Sequence, residues 1–324
     1  MQYAGLVLPQ GKRAWIKALI IAVFATVSPA LAQKPAKAAA KAPPAPAGTL
    51  DRIRQSARIR LGYRSDARPF SFSDTPGQAA GYSVALCTDV ADAVKSELAL
   101  PTLNVEWVPV TVEGRFAALQ KGDIDLLCGA DTRTLSRMKD VAFSIPIFPG
   151  GIGALLRSDA PRRLKDVLSG QKPAAQPNWR ASSIQLLQTQ IFAVIPGTTA
   201  ESWLNGKINE FQLTAKVVTV NSYDAGVQRL VAREASVFFG DRAILLDAAM
   251  RSRSANSLHL VDRLFTSEPV ALAFARGDAD FRLVVDRTLS RLYASKEFPA
   301  LYAKWFGTAD ENTLAFYRWN TVPE

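Results

Sequence analysis

The stretch GDIDLLCGADTRTLSRMKDVAFSIPIF, residues 122–148, carries a strand, a break and an anion-binding loop in one reading. It opens on an acidic turn, Gly122-Asp123, and enters a short apolar strand over 124–128. It breaks at Gly129 into a polar loop, Ala130-Asp131-Thr132-Arg133-Thr134, with Arg137 one helical turn later. A strand that ends in small and hydroxyl residues beside a guanidinium offers several donors to one anion, because the planar fork of Arg matches a carboxylate. An ordinary surface loop with an incidental arginine would have the same spacing, since nothing makes that spacing unique.

Strands and helices alternate outward from this point. A short strand over 59–62 breaks at Gly62 into a loop that holds Arg64, and Gly77 and Gly81 bracket a turn. Cys87, Val90, Ala91, Val94 and Leu98 then recur at helical spacing. A strand over 104–110 precedes a short helix over 111–120, which carries Arg115 and stops at Gly122. The pattern restarts with a strand over 191–195 that ends in Pro196-Gly197-Thr198-Thr199, where Thr198 or Thr199 is a natural helix cap beside free backbone amides. Strands over 216–220 and 236–239 and helices over 224–233 and 242–250 follow, then a strand over 270–274 and helices over 278–294 and 298–306. Alternation of this kind predicts an α/β fold of two lobes, each a mostly parallel sheet flanked by helices. Two extended crossings join them, and ligands belong at the carboxyl ends of the strands and in the cleft between the lobes. The lobe boundaries expected are 49–152 plus 270–324 for the first and 153–269 for the second, with a surface insertion at about 171–190.

The N-terminal residues have a different character. Lys12, Arg13 and Lys17 precede an apolar run over 18–27, and Ser28-Pro29-Ala30-Leu31-Ala32 supplies a small-residue cleavage site. Residues 1–32 therefore read as a secretory signal cleaved after Ala32, too short in its apolar run for a spanning helix and implying a periplasmic protein. Residues 33–48 are almost entirely Ala, Pro and Lys, a linker composition. Of the formal net charge of +10, Lys12, Arg13 and Lys17 contribute three and Lys34, Lys37 and Lys41 another three, which leaves +4 for the remainder. Without a basic stripe interleaved with aromatics, that is no nucleic-acid footprint. Cys87 and Cys128 are the two cysteines; in an oxidising compartment they pair into one disulfide, or else remain two buried thiols.

Most of the chain after Gly48 resembles the solute-binding proteins of polar amino-acid ABC transporters, and within them the glutamate/aspartate-binding branch. The resemblance lies in LGYRSDARPFSFSDTPGQAAGYSVALCTDVADAV, VPVTVEGRFAALQKGDIDLLCGADTRTLSRMKDVAFSIPIF, IPGTTAESWLNGKI, VFFGDRAIL and LYASKEFPALYAKWFG. It implies a type II periplasmic-binding-protein clamshell, a monomer that docks transiently on a membrane permease, with no cofactor and no metal. It also implies that Arg137 takes the ligand α-carboxylate, Thr132 lies beside it, and Ala130 contributes backbone groups where the family often has Ser. Thr198 would be the second-lobe donor and Asp241 the partner of the α-ammonium, although Asp241 also reads as the cap of the helix after it. Arg64 and Arg115 match positions that take a side-chain carboxylate; the other reading of each is an ion pair at the rim, with Asp66 or Glu113. The chain departs from the branch at Val112, Ile195 and Tyr223, where hydroxyls or His are usual, and each change removes or alters a polar contact.

A catalyst on the same fold, an exported dehydratase acting on a cyclic carboxylic acid, is the alternative. It would need an acid or base poised in the cleft. Asp131 and Asp241 are the candidates, because the single His259 lies far from the motifs in an irregular segment. No nucleophile elbow, phosphate loop or metal-ligand spacing appears.

Overall fold

The computed structural model describes residues 48–75, 77–171 and 180–324. The signal and linker expectations lie outside the described residues apart from Gly48, as does 172–179 of the expected insertion; within that insertion, Arg180–Gln188 is a helix.

The chain forms two five-stranded sheets and a small three-stranded one. The first sheet runs Asn104–Pro109, Arg58–Tyr63, Leu126–Thr132, Glu268–Phe274, Ala142–Gly150; the second runs Lys216–Thr219, Ile191–Val194, Val237–Asp241, Ile152–Arg157, Leu258–Leu260. Each is mixed: three neighbouring strands pair in parallel, and the other two join through antiparallel pairings, so one strand in each sheet runs against the other four. The chain leaves the first sheet after Gly150 and returns at Glu268, and these two residues are register partners.

Helices cover the sheets through the faces that the periodicity predicts. In Tyr82–Glu97 the residues Cys87, Val90, Ala91 and Val94 are buried, and in Ala279–Ala294 so are Phe281, Val284, Val285 and Leu289. Cys87 is bonded to Cys128 (S–S 2.12 Å), which fastens the first of these helices to the strand Leu126–Thr132.

Several expectations differ from what forms. Gly62 does not end its strand but lies inside Arg58–Tyr63, paired with Val108 on one side and Leu127 on the other. The side chain of Ile124 fills the space a Cβ there would need. Gly129 does not break its strand either. Leu126–Thr132 runs through it because Val270 and Ala271 of the returning strand pair with Thr132 and Asp131. Backbone pairing outweighs the polar composition of Asp131-Thr132, a tertiary effect invisible to local pattern. The helix expected over 111–120 begins later, at Arg115, because the Thr111 hydroxyl accepts from Gly114 N (3.0 Å) in the turn before it. Gln78–Ala80, between Gly77 and Gly81, is a strand of the small sheet. His259 lies in an edge strand, Leu258–Leu260, and is exposed. A last helix, Glu311–Asn320, was not anticipated. It docks through Tyr317, whose hydroxyl donates to Ile147 O (2.8 Å) within a cluster of Tyr82, Tyr293, Phe298 and Tyr302. Among the described residues, no helix is long and apolar enough to cross a membrane.

Candidate functional site

The three parallel strands of the first sheet and the three of the second all end at one cleft, and each end delivers a polar side chain to it. Arg64 follows Arg58–Tyr63, Arg115 follows Asn104–Pro109, and Thr132 and then Arg137 follow from Leu126–Thr132. From the second sheet come Thr198 after Ile191–Val194, Tyr223 after Lys216–Thr219, and Asp241 at the end of Val237–Asp241. The cleft is narrow and partly open to solvent, and is lined by all seven residues singled out in the sequence: Arg64, Arg115, Ala130, Thr132, Arg137, Thr198 and Asp241. Thr199, Tyr223 and Glu268 line it as well.

The three guanidiniums are not equivalent. Arg64 donates from Nε (3.0 Å) and Nη2 (2.7 Å) to Asp66 Oδ1, and this pair is buried on the arginine side rather than at the rim. Arg115 is bonded to Asp131, not Glu113, with side chains only 4% and 2% exposed. Asp131 fits because its carboxylate fills the space beside Gly129 where a Cβ would stand. Each of these two guanidiniums therefore has a carboxylate of its own: Arg64 has the Asp66 partner that the sequence suggested, and Arg115 has Asp131 instead of Glu113. Arg137 differs. Its Nη1 donates to Thr132 O (2.9 Å) and its Nη2 to Gly197 O (3.4 Å), its guanidinium lies 5.3 Å from the Phe116 ring centre, and no carboxylate is within ion-pair distance among the described residues. Burial lowers its pKa from the usual arginine range, with Asp131 opposing and Arg115 reinforcing that shift.

Asp241 takes the capping role that the sequence also suggested and keeps a second oxygen beyond it. Its Oδ1 accepts from Ala243 N (2.9 Å) and Ile244 N (3.2 Å) and so caps Arg242–Arg251. Its Oδ2 accepts no hydrogen bond among the described residues. Burial pushes its pKa up to about 6, against the two cap bonds that lower it, and Glu268 adds to the rise. Thr198 caps Thr199–Glu210: its hydroxyl donates to Ile195 O (2.7 Å) and accepts from Glu201 N (3.3 Å). Tyr223 packs on Gly240, and its hydroxyl accepts from Asp241 N (3.3 Å).

Glu268 was missed by sequence reasoning. Its Oε2 accepts from Thr132 (3.0 Å) of the first sheet and from Thr199 (2.6 Å) at a helix start of the second, and its Oε1 accepts from Thr266 (2.9 Å). An ionised carboxylate only accepts, so all three hydroxyl protons point at it. No local pattern marks it; the one available signal was its place at the head of the strand that returns to the first sheet. Among the described residues, no group of three or more His, Cys, Asp or Glu could hold a metal ion.

Two sheets joined by adjacent crossings, with polar residues of both converging on one cleft, define a two-lobed ligand-binding protein. Residues 59–308 match the model of the bacterial extracellular solute-binding proteins, family 3, and the chain belongs to that family. It is 28% identical over 266 residues to the glutamate/aspartate import solute-binding protein of Escherichia coli K12, covering 82% of each chain. It is 30% identical over 260 residues to the L-glutamate/L-aspartate-binding protein of Pseudomonas aeruginosa, covering 80% of each. Among solved structures it is similar to an ancestral amino acid-binding protein described as a precursor of cyclohexadienyl dehydratase (TM-score 0.64, 28% identity), covering 80% of this chain and all of that one.

Proposed function

We propose that the protein is a periplasmic receptor, exported by a signal cleaved after Ala32, that captures a polar amino acid between its lobes and presents it as a monomer to an ABC permease. The lobes are residues 49–152 with 270–324, and residues 153–269. The observation that carries this reading is the placement of Arg137 and Asp241 on opposite sides of one cleft, a cation without a carboxylate partner facing a carboxylate with one oxygen open. A zwitterion has the complementary pair, an α-carboxylate for Arg137 and an α-ammonium for Asp241, so it rewards closure in a way that a ligand touching one lobe cannot. Ala130, Thr132 and Thr198 complete the wall. Glutamate and aspartate enter as candidates because the two relatives carry them in their names. The protein acts as a receptor rather than a catalyst, since ammonium recognition accounts for Asp241 without a chemical step.

The test is calorimetric titration of the ligand-stripped protein (from Gln33) with L-glutamate, L-aspartate, L-glutamine and L-arginine, alongside Arg137→Ala. Micromolar or tighter binding of one of them, lost in the variant, supports the receptor. Binding of none, with consumption of a cyclic carboxylic acid instead, would replace it with the dehydratase reading.

A further inference from the structure

We infer that this cleft selects an amino acid with an uncharged amide side chain, glutamine or asparagine, over glutamate and aspartate, and that Asp66 and Asp131 are the residues that set this preference. The inference rests on the receptor reading and goes on to name its ligand class.

A site for an acidic side chain must supply positive charge in excess of its own anions. Arg64, Arg115 and Arg137 are the cations of the cleft, and the carboxylates that line it or pair with these cations are Asp66, Asp131, Asp241 and Glu268. Three against four leaves a formal charge of −1. A zwitterion with a neutral side chain leaves that balance unchanged, whereas an acidic amino acid drives it to −2. Like charges brought together in a desolvated cleft oppose binding strongly.

The pairing is local as well as global. Arg64 engages Asp66 through two nitrogens, and Arg115 engages Asp131 in a pair almost wholly removed from water. Pulling either arginine toward a ligand carboxylate would strand its aspartate, and a buried charge left without its partner is costly. What each guanidinium keeps is its Nη1, which has no partner among the described residues. A donor on a group whose charge is already balanced suits the carbonyl oxygen of an amide.

The hydroxyls tell the same story. The protons of Thr132 and Thr199, the two of these hydroxyls that line the cleft, are directed to Glu268, so both turn lone pairs rather than protons toward it. Lone pairs accept from an ammonium or an amide NH2 and repel a second carboxylate.

The experiment compares L-glutamine and L-asparagine with L-glutamate, L-aspartate and L-arginine on the ligand-stripped protein at pH 7.5, then repeats the comparison on Asp66→Ser and Asp131→Thr. The unmodified protein is expected to bind the better amide at least about tenfold more tightly than the matching acid, and each variant to move that ratio toward the acid by about tenfold. Asp131 is buried, so Asp131→Thr tests the fold as well as the ligand; Asp66 is partly exposed, and Asp66→Ser keeps the two apart. Glutamate binding as tightly as glutamine in the unmodified protein, L-arginine binding more tightly than both, or a ratio that Asp66→Ser leaves unmoved overturns the inference while the receptor stands. Binding of none of these amino acids removes both.

Discussion

Arg137 is the cleft guanidinium that keeps its charge uncompensated, and its consequence is large. Arg137→Ala should weaken amino-acid binding by about 3 kcal/mol or more, because it leaves a desolvated α-carboxylate without its partner. Titration of variant and parent gives that number directly, and thermal unfolding without ligand should move little, since the guanidinium bonds only two carbonyls. Asp241 makes a pH prediction. Its carboxyl is raised to about 6, so the folded state binds this proton more tightly than the unfolded state does. The associated stability is fully present below the unfolded value of 3.8 and is lost as pH rises through about 6. Ammonium binding has the opposite sign: it needs the carboxylate, so affinity should climb between pH 5 and pH 7. Asp241→Asn can still cap its helix through Oδ1, and in it the climb should flatten; an unchanged profile would exclude Asp241 as the titrating group. At this scale the sequence was informative where a residue stands at or just after a strand end, as Arg64, Thr132, Thr198 and Asp241 do. It was silent on partners. Asp131 lies 16 residues from Arg115, and Glu268 lies 136 from Thr132, separations at which no local pattern survives.

Among the elements, the helix Tyr82–Glu97 and the strand Leu126–Thr132 are tied by the Cys87–Cys128 bond. With the cysteines 41 positions apart, chain-entropy arguments assign the link about 4 kcal/mol. Reduction, or replacement of both cysteines by Ala, should lower the melting temperature by about 8 °C, measurable by scanning calorimetry. The strand in question also shows why element boundaries were only partly legible. Apolar runs such as 124–128 announce a strand, but its extension through Gly129 to Thr132 depends on pairing with Val270 and Ala271, far along the chain. The reverse holds at Thr198, where a local signal was sufficient: its hydroxyl caps Thr199–Glu210. Thr198→Ala should cost about 1 kcal/mol of stability in denaturant unfolding, before any effect on ligand. Asp310 caps the helix Glu311–Asn320 by accepting from Thr313 N (2.8 Å), but its docking by one buried tyrosine could not be read from periodicity.

For the whole molecule, the cleft is held shut by bonds that span it. Glu268 gathers Thr132 and Thr199, Gly197 O accepts from both Arg115 and Arg137, and Arg68 reaches Asp247 (3.5 Å) at the rim. Glu268→Ala should release the first of these links and make the ligand-free protein more extended in solution scattering, with the difference narrowing once a bound amino acid supplies its own bridge. An identical radius of gyration for variant and parent would show that Glu268 holds nothing closed. The crossing beneath that cleft has a further consequence. Gly150 and Glu268 are register partners on neighbouring antiparallel strands, and every strand of the second sheet falls between them in the chain. Topologically, then, the second lobe is the loop of a single β-hairpin. Its removal leaves two chain ends already side by side, close enough for a two-residue turn to join. The first lobe, by contrast, cannot seat its fourth strand until residue 274 has been made, so it must wait for the intervening lobe to be synthesised before its own sheet is whole.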